Sequence, residues 1–393
     1  MLAFQPADRL NALPPYLFAE LDRKKQRRLA KGLEVIDLGI GDPDLPTPEP
    51  ILEFMALAAR DPRHHRYPPS RGLPAFRSAI AAWYQRRHGV ALDPETEITN
   101  LIGSKEGIGH LPLALVNPGE EVWIPDPGYP VYLSGTLFAG GAPRFMPLTV
   151  AHGFLPDLEQ IVRDGVDRAR LLYVNYPNNP TGAVAGREFY AQLVELAHQH
   201  GFLIVSDAAY AEIADAPPVS ILEIDGAKDV AVEIGSFSKT FNMTGWRVGW
   251  AAGQAAAIQA LVSLKNNLDS GAPAAIQLAA AHGFEFIDQH LPGLLATYAE
   301  RRAAALDGLR ELGIEVFPSR GAFYVWARVP GEMRSVEFSS KVLDTVGVVT
   351  TPGVGFGQGG EGWFRIALCS DVSAIRRGIQ RLSEAGLWAR SAS

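Results

Sequence analysis

Four polar clusters in this chain carry residue types that can do chemistry on small molecules. They are Asn178-Asn179-Pro180-Thr181-Gly182, Asp207-Ala208-Ala209-Tyr210, Ser236-Phe237-Ser238-Lys239 with Arg247 eight residues on, and Arg365 within Phe364-Arg365-Ile366-Ala367-Leu368. Between them they offer an amine, a carboxylate with a phenol three residues later, hydroxyls and two guanidinium groups. A further stretch, Gly103-Ser104-Lys105, opens a helical pattern after a glycine, and a helix start is a ready anion site. Taken singly, each has an ordinary structural explanation. A strand-end aspartate usually caps a helix or turn, and Asn-Asn-Pro-Thr-Gly usually just makes a turn. Ser-x-Ser-Lys fits a solvated loop, and an edge-strand arginine fits a surface ion pair. One short motif is only a hypothesis. Together, in this order and each at the end of a strand pattern, they are much harder to dismiss. For Arg365 the flanking Phe364, Ile366 and Leu368 read as a buried strand, where an unpaired arginine would be costly.

The elements that must position these residues are legible in the hydrophobic pattern. From about residue 73 helical and strand patterns alternate, as in an α/β sheet. Residues 74–88 place Phe76, Ile80 and Trp83 at helical spacing with Gly89 as a stop, and residues 187–200 read as a helix ending at Gly201. Residues 121–124, 170–175, 202–207, 231–236 and 246–251 read as strands, several apolar on both faces and therefore buried. In such sheets ligands gather at the carboxyl ends of the strands, where the polar clusters fall. After a helical stretch over about 292–312, short strands at 321–329, 348–351 and 363–368 alternate with two helices and suggest a smaller α/β domain. The residues before about Glu53 read as an arm plus a strand that packs on that second domain. The expected division is 1–52 as the arm and part of the small domain, 53–290 as the large domain, and 291–393 as the rest of the small one.

Composition sets the outer limits. A chain of 393 residues is long for one domain and natural for two. With 47% hydrophobic and 20% charged residues it can bury a sizeable core and is neither disordered nor fibrous. A net charge of −7 argues against nucleic acid or an anionic membrane as partner. Its single cysteine, Cys369, cannot form an internal disulfide or a cysteine-rich metal site. No segment reaches the roughly 18 apolar residues of a membrane span. The N-terminal stretch carries Asp8 and Arg9 where a signal peptide needs an apolar run. A cytoplasmic protein is expected.

In their order the clusters resemble the fold-type I, class I/II aminotransferases that use pyridoxal 5'-phosphate. The resemblance covers essentially the whole chain, through Gly39-Ile40-Gly41-Asp42-Pro43-Asp44, Tyr67, Gly103-Ser104-Lys105 and Asp126-Pro127-Gly128-Tyr129-Pro130 as well as the clusters above. It implies an aspartate aminotransferase-like α/β fold: a large domain with a mostly parallel central sheet flanked by helices, plus a smaller discontinuous α/β domain. It implies that Lys239 holds the aldehyde cofactor and, as a free amine, shuttles the substrate's α-proton. Asp207 would keep the pyridine nitrogen protonated so that the ring acts as an electron sink. Tyr210 and Asn179 would bond the ring oxygen, and Tyr129 would stack on the ring. Ser104, Lys105, Ser236, Ser238 and Arg247 would hold the phosphate, Arg247 bidentately. Arg365 would pair with the substrate α-carboxylate, a planar fork for a planar anion. Tyr67 would reach the phosphate of the neighbouring subunit, giving a homodimer with shared active sites. For Tyr67 and Tyr129, both beside prolines, the ordinary alternative is a packed loop aromatic. No metal is implied.

Substrate choice rests on finer likenesses. Residues 13–20, 102–108 and 268–271 and the loop Thr351-Pro352-Gly353 to Gly357 look closer to the LL-diaminopimelate aminotransferases of lysine biosynthesis than to aspartate or alanine enzymes. That likeness implies Tyr16, Gly41 and Asn179 in the substrate pocket and Ser270 reaching in from the partner, with 2-oxoglutarate as the expected 2-oxo-acid acceptor. One departure stands against it. After Tyr67 the chain runs Pro68-Pro69-Ser70-Arg71-Gly72, where that group carries a glutamate thought to read a distal ammonium. Arg71 would repel that ammonium and favour a distal carboxylate. The alternatives are an alanine- or aspartate-type enzyme, an N-succinyldiaminopimelate aminotransferase, or a lyase using the same cofactor residues. A non-catalytic regulator of the same fold would carry a basic DNA-binding module, for which about 40 leading residues are too few.

Overall fold

The computed structural model describes residues 4–13 and 17–387. The first strand, β1 (Ile36–Asp37), pairs in parallel with residues 348–349 near the other end of the chain. This pairing ties the N-terminal segment to the C-terminal one.

The next seven strands form one sheet. They are β2 (Ile98–Leu101), β3 (Glu121–Asp126), β4 (Ala142–Pro147), β5 (Ala169–Asn175), β6 (Leu203–Asp207), β7 (Ala231–Ser236) and β8 (Gly249–Gly253). Their spatial order is β2-β8-β7-β6-β5-β3-β4. Only β8 runs antiparallel to its neighbours, so the sheet is mostly parallel. Alternate residues face opposite sides: Leu171 and Tyr173 join one buried cluster while Leu172 and Val174 join the other. Helices cover both faces, which is why these strands read as continuous apolar runs.

Capping follows the sequence. The helix Pro74–His88 begins on proline and ends at Gly89, whose φ of 68° suits a residue without Cβ; Arg187–His200 ends the same way at Gly201. The strands missed in the sequence, β2 and β4, are the two edges, short in one case and proline-bearing in the other. The strand expected to start at Trp246 begins at Gly249, because Thr244–Trp246 is a 3-10 turn and Arg247 has a φ of 53°.

The remaining strands are β9 (Tyr324–Arg328), β10 (Val348–Val349), β11 (Thr351–Pro352) and β12 (Trp363–Ala367). The single strand expected over 348–351 is two: β10 joins β1, whereas β11 joins the antiparallel sheet β11-β12-β9. The long helix starts at Ile287, before the expected Pro292, and runs to Glu311. The expected limits at 52/53 and 290/291 both fall inside helices, Glu49–Ala59 and Ile287–Glu311. Among the described residues no helix is long and apolar enough to cross a membrane.

Candidate active site

The carboxyl ends of β5, β6 and β7 open into a cleft of about 390 Å³, a size suited to a small organic ligand. The cleft is lined by Gly41, Ser104, Lys105, Tyr129, Asn179, Asp207, Tyr210, Ser236, Ser238, Lys239, Arg247 and Arg365. Residues spread over more than 320 positions of sequence thus converge on one cavity, as the parallel sheet's strand-end rule anticipates.

At the base, Asp207 ends β6 and is 4% exposed. Its Oδ2 accepts from the Tyr132 hydroxyl at 2.8 Å and its Oδ1 from the Ala209 N–H at 3.2 Å. Burial pushes the carboxyl up to about 6, and these two hydrogen bonds oppose the rise. Lys239 sits on the short helix Phe237–Thr240, which is capped by Ser236 accepting from the Ser238 N–H. Its Nζ donates to the Gly41 carbonyl at 3.2 Å and lies over the Phe323 ring at 5.5 Å. Burial pushes the amine below its ordinary range. A lysine that loses its proton more readily is what amine chemistry needs.

One corner of the cleft is built for an anion. Gly103 has a φ of 88°, and a Cβ there would lie 2.4 Å from Arg247 Nη2, so the backbone approaches the guanidinium closely. Ser104 and Lys105 then open the helix Ser104–Leu115, whose first N–H groups have no helical partners. Arg247 donates to the carbonyls of Thr244 (2.8 Å) and Ile102 (3.2 Å). Among the described residues neither Arg247 nor Lys105 has a carboxylate partner within ion-pair distance. Positive charge, helix N–H groups and the Ser236 and Ser238 hydroxyls converge without a counter-ion.

A second anion position lies at Arg365, on β12 and 5% exposed. Nη1 donates to Asn179 Oδ1 at 2.7 Å and Nη2 to the Gly39 carbonyl at 2.8 Å, while the buried Nε has no partner among the described residues. The guanidinium is stacked over Tyr324 at 4.2 Å and Phe356 at 4.7 Å. A buried cation held by neutral acceptors and one idle donor is arranged for a carboxylate. Tyr324 also meets Tyr210, hydroxyl to hydroxyl, at 2.8 Å. Gly41 is required beside it, since a Cβ would fall 2.3 Å from the Tyr324 hydroxyl.

Two expected site residues lie outside the cleft of their own chain, and a third is not described. Tyr16 is outside the described residues. Tyr67 is 87% exposed, and Ser270 is exposed as well; neither lines the cleft of its own chain. Their loops are held together by Asn100, whose Nδ2 donates to the Ser70 carbonyl (2.8 Å) and whose Oδ1 accepts from Ala272 N–H (3.0 Å). The Arg71 guanidinium donates to Gln259 and to the Thr96 carbonyl of its own chain, both neutral acceptors. Sequence reasoning missed Tyr132 and Tyr324, which bond Asp207 and Tyr210. Asn175, read only as the end of the strand over 170–175, also takes part: its Nδ2 donates to the Asp207 carbonyl and its Oδ1 accepts from Asn179 N–H, both at 2.8 Å. Only Asn175, a polar residue closing an apolar strand, carried a signal.

Comparison with known proteins agrees with this geometry. The family pattern described as "Aminotransferase class I and II" matches residues 34–382, and the chain belongs to that family. It is therefore a transaminase, with the aspartate aminotransferase-like α/β fold. The chain is 47% identical to the LL-diaminopimelate aminotransferase of Aquifex aeolicus, over 96% of this chain and 98% of that one. It is 49% identical to the LL-diaminopimelate aminotransferase of Desulforudis audaxviator, over 97% and 98%. Among solved structures, substrate-bound BacF from Bacillus subtilis superposes with a TM-score of 0.94 at 38% identity, each chain fully covered.

Proposed function

We propose that this aminotransferase uses pyridoxal 5'-phosphate to move the amino group between LL-diaminopimelate and a 2-oxo acid, with 2-oxoglutarate as the acceptor. The observation that carries the cofactor reading is the pairing, across one cleft, of a buried carboxylate and a half-buried lysine. Beside them stand two separate cationic corners without acidic partners among the described residues. Pyridoxal phosphate supplies an aldehyde that condenses with amines and a ring that withdraws electrons from the α-carbon.

The rest of the mechanism lies with the chain's own side chains. Asp207 offers a carboxylate to a cationic ring nitrogen, which would favour its ionised form over the apoprotein's raised value. Arg247, Lys105, the serines and the start of the helix Ser104–Leu115 hold the phosphate. Tyr210 and Asn179 would bond the ring oxygen and Tyr129 would stack on the ring. Arg365 grips the α-carboxylate, completing the bond that its Nε lacks. With the carboxylate fixed, the α-hydrogen would be held toward Lys239, whose basicity, lowered by burial, lets it return an accepted proton more readily than an ordinary lysine.

The diaminopimelate assignment rests on relatives of that name at 45% to 49% identity over nearly the whole chain. We further place the enzyme in the cytoplasm as a homodimer sharing its sites. The exposed Tyr67 and Ser270, on loops joined through Asn100, support the dimer. The decisive experiment pairs two measurements. Lys239→Ala should abolish turnover and the borohydride-reducible bond to the cofactor. On the wild type, half-reactions with a panel of amino donors should favour LL-diaminopimelate over glutamate, aspartate, alanine and the N-succinyl derivative. A better rate with any of those would move the assignment to that donor.

A further inference from the structure

The least expected charge in the molecule is Lys265, on the helix Ala255–Leu268 and 0% exposed. Its ammonium lies 2.6 Å from Glu106 Oε1 and 3.0 Å from Asp269 Oδ1, and His110 Nδ1 stands 3.2 Å from the same Glu106 oxygen. Glu106, His110 and Asp269 are close enough to resemble a metal cluster, but the ammonium occupies the space between the two acids. A buried ion pair gains little over apolar side chains of similar size, so stability alone does not account for it.

What the two acids do on their other sides does account for it. Glu106 Oε2 accepts from the Ile102 N–H at 2.6 Å, while the Ile102 carbonyl accepts from Arg247. Residue Ile102, just before Gly103, is therefore held through both its N–H and its carbonyl, and with it the direction in which the helix Ser104–Leu115 aims its free N–H groups. Asp269 Oδ1 accepts from the Gly271 N–H at 2.7 Å, beside the Asn100 junction that joins the Ser270 and Tyr67 loops. One ammonium thus fixes two acids, and each acid fixes a loop.

We propose that Lys265 is a positioning residue: through Glu106 it aims the anion cradle at 102–105, and through Asp269 it holds that cradle in register with the edge carrying Ser270. This rests on the reading that the cradle takes the phosphate of pyridoxal phosphate. Charge on Lys265 is not delivered to the ligand; geometry is.

The test uses full-length apoprotein of wild type, Lys265→Met and Glu106→Leu. The probes are pyridoxal phosphate, pyridoxal without its phosphate, and inorganic phosphate, with amide exchange followed at Ile102 and Gly271. Both variants should bind pyridoxal phosphate and inorganic phosphate about tenfold or more weakly, the scale on which partners that orient a ligating group act. Pyridoxal should bind about as before, and the Ile102 amide should exchange faster. Glu106→Leu leaves Lys265 paired with Asp269, so it carries the test if Lys265→Met does not fold. Equal losses for pyridoxal and pyridoxal phosphate, or unchanged phosphate binding in variants that fold, would overturn the proposal. If wild type binds inorganic phosphate but not pyridoxal phosphate, the cofactor reading fails, while the phosphate and exchange comparisons still decide the role of Lys265.

Discussion

Asp207 is held in a state that harms the stability of the apoprotein, and replacing it with asparagine should show by how much. Burial raises the carboxyl from 3.8 to about 6, a shift of about two pH units. At about 1.36 kcal/mol per unit, the ionised carboxylate costs the empty fold about 3 kcal/mol once the pH is well above 6. The sign follows from the direction: a raised acid favours the folded state below the unfolded value near 4, and that advantage is lost as the pH climbs through 6. Asparagine keeps the shape and never ionises. It can accept from Tyr132 or from Ala209 N–H but not from both, a loss of about 1 kcal/mol. Asp207→Asn apoprotein should therefore be more stable than wild type by about 2 kcal/mol at pH 8 and slightly less stable at pH 4. Denaturant unfolding of the two apoproteins at equal chain concentration, across that pH range, measures the difference. Added pyridoxal phosphate should then stabilise wild type more than the variant, and transamination by the variant should fall by about a hundredfold or more. A difference that does not change between pH 4 and pH 8, or a variant less stable at pH 8, would refute the reasoning.

Three other outcomes follow from the same geometry. Tyr132→Phe removes the hydroxyl that opposes the rise of Asp207, so the acid limb of kcat/KM should move to higher pH, with activity at pH 7 recovering toward pH 8.5. An unmoved acid limb would show that this bond does not tune the acid. Gly41→Ala places a Cβ 2.3 Å from the Tyr324 hydroxyl and should displace the Tyr324–Tyr210 bond. The expected cost is about tenfold in kcat/KM, the worth of about one hydrogen bond, with Tm nearly unchanged; wild-type kinetics would remove Tyr324 from the site's design. Mixed Lys239→Ala and Tyr67→Phe chains should regain roughly a quarter of wild-type activity, since half the dimers are hybrids with one intact site. Hybrids that form and stay inactive would mean that each chain builds its own site.

Much of the site was legible because its chemistry restricts residue types. An amine, an acid for a ring nitrogen and a fork for a carboxylate leave few substitutes, so Lys239, Asp207 and Arg365 stand out once the strands ending near them are recognised. The buried strands were readable because both their faces are apolar. The edges β2 and β4 were not, since an edge need not be apolar throughout and β4 contains two prolines. At 348–351, an apolar run that looks continuous is divided between two sheets, because which partner a strand meets is decided by the packing around it.

The order of chemical groups, the capped helices and the strands buried on both faces could thus be read before any fold was known, for they depend on residue type and on neighbours within a few positions. Which side chain sets the state of each group emerges from the packed molecule alone. Tyr132 bonds Asp207 from 75 residues away, Lys265 reaches Glu106 across 159, and Arg71 turns to Gln259 across 188. None of these pairs leaves a local mark in spacing or hydrophobicity. A hydrogen bond is specified by the last few ångströms of approach, and that approach is fixed by how helices settle on the sheet, a property of the whole packed core.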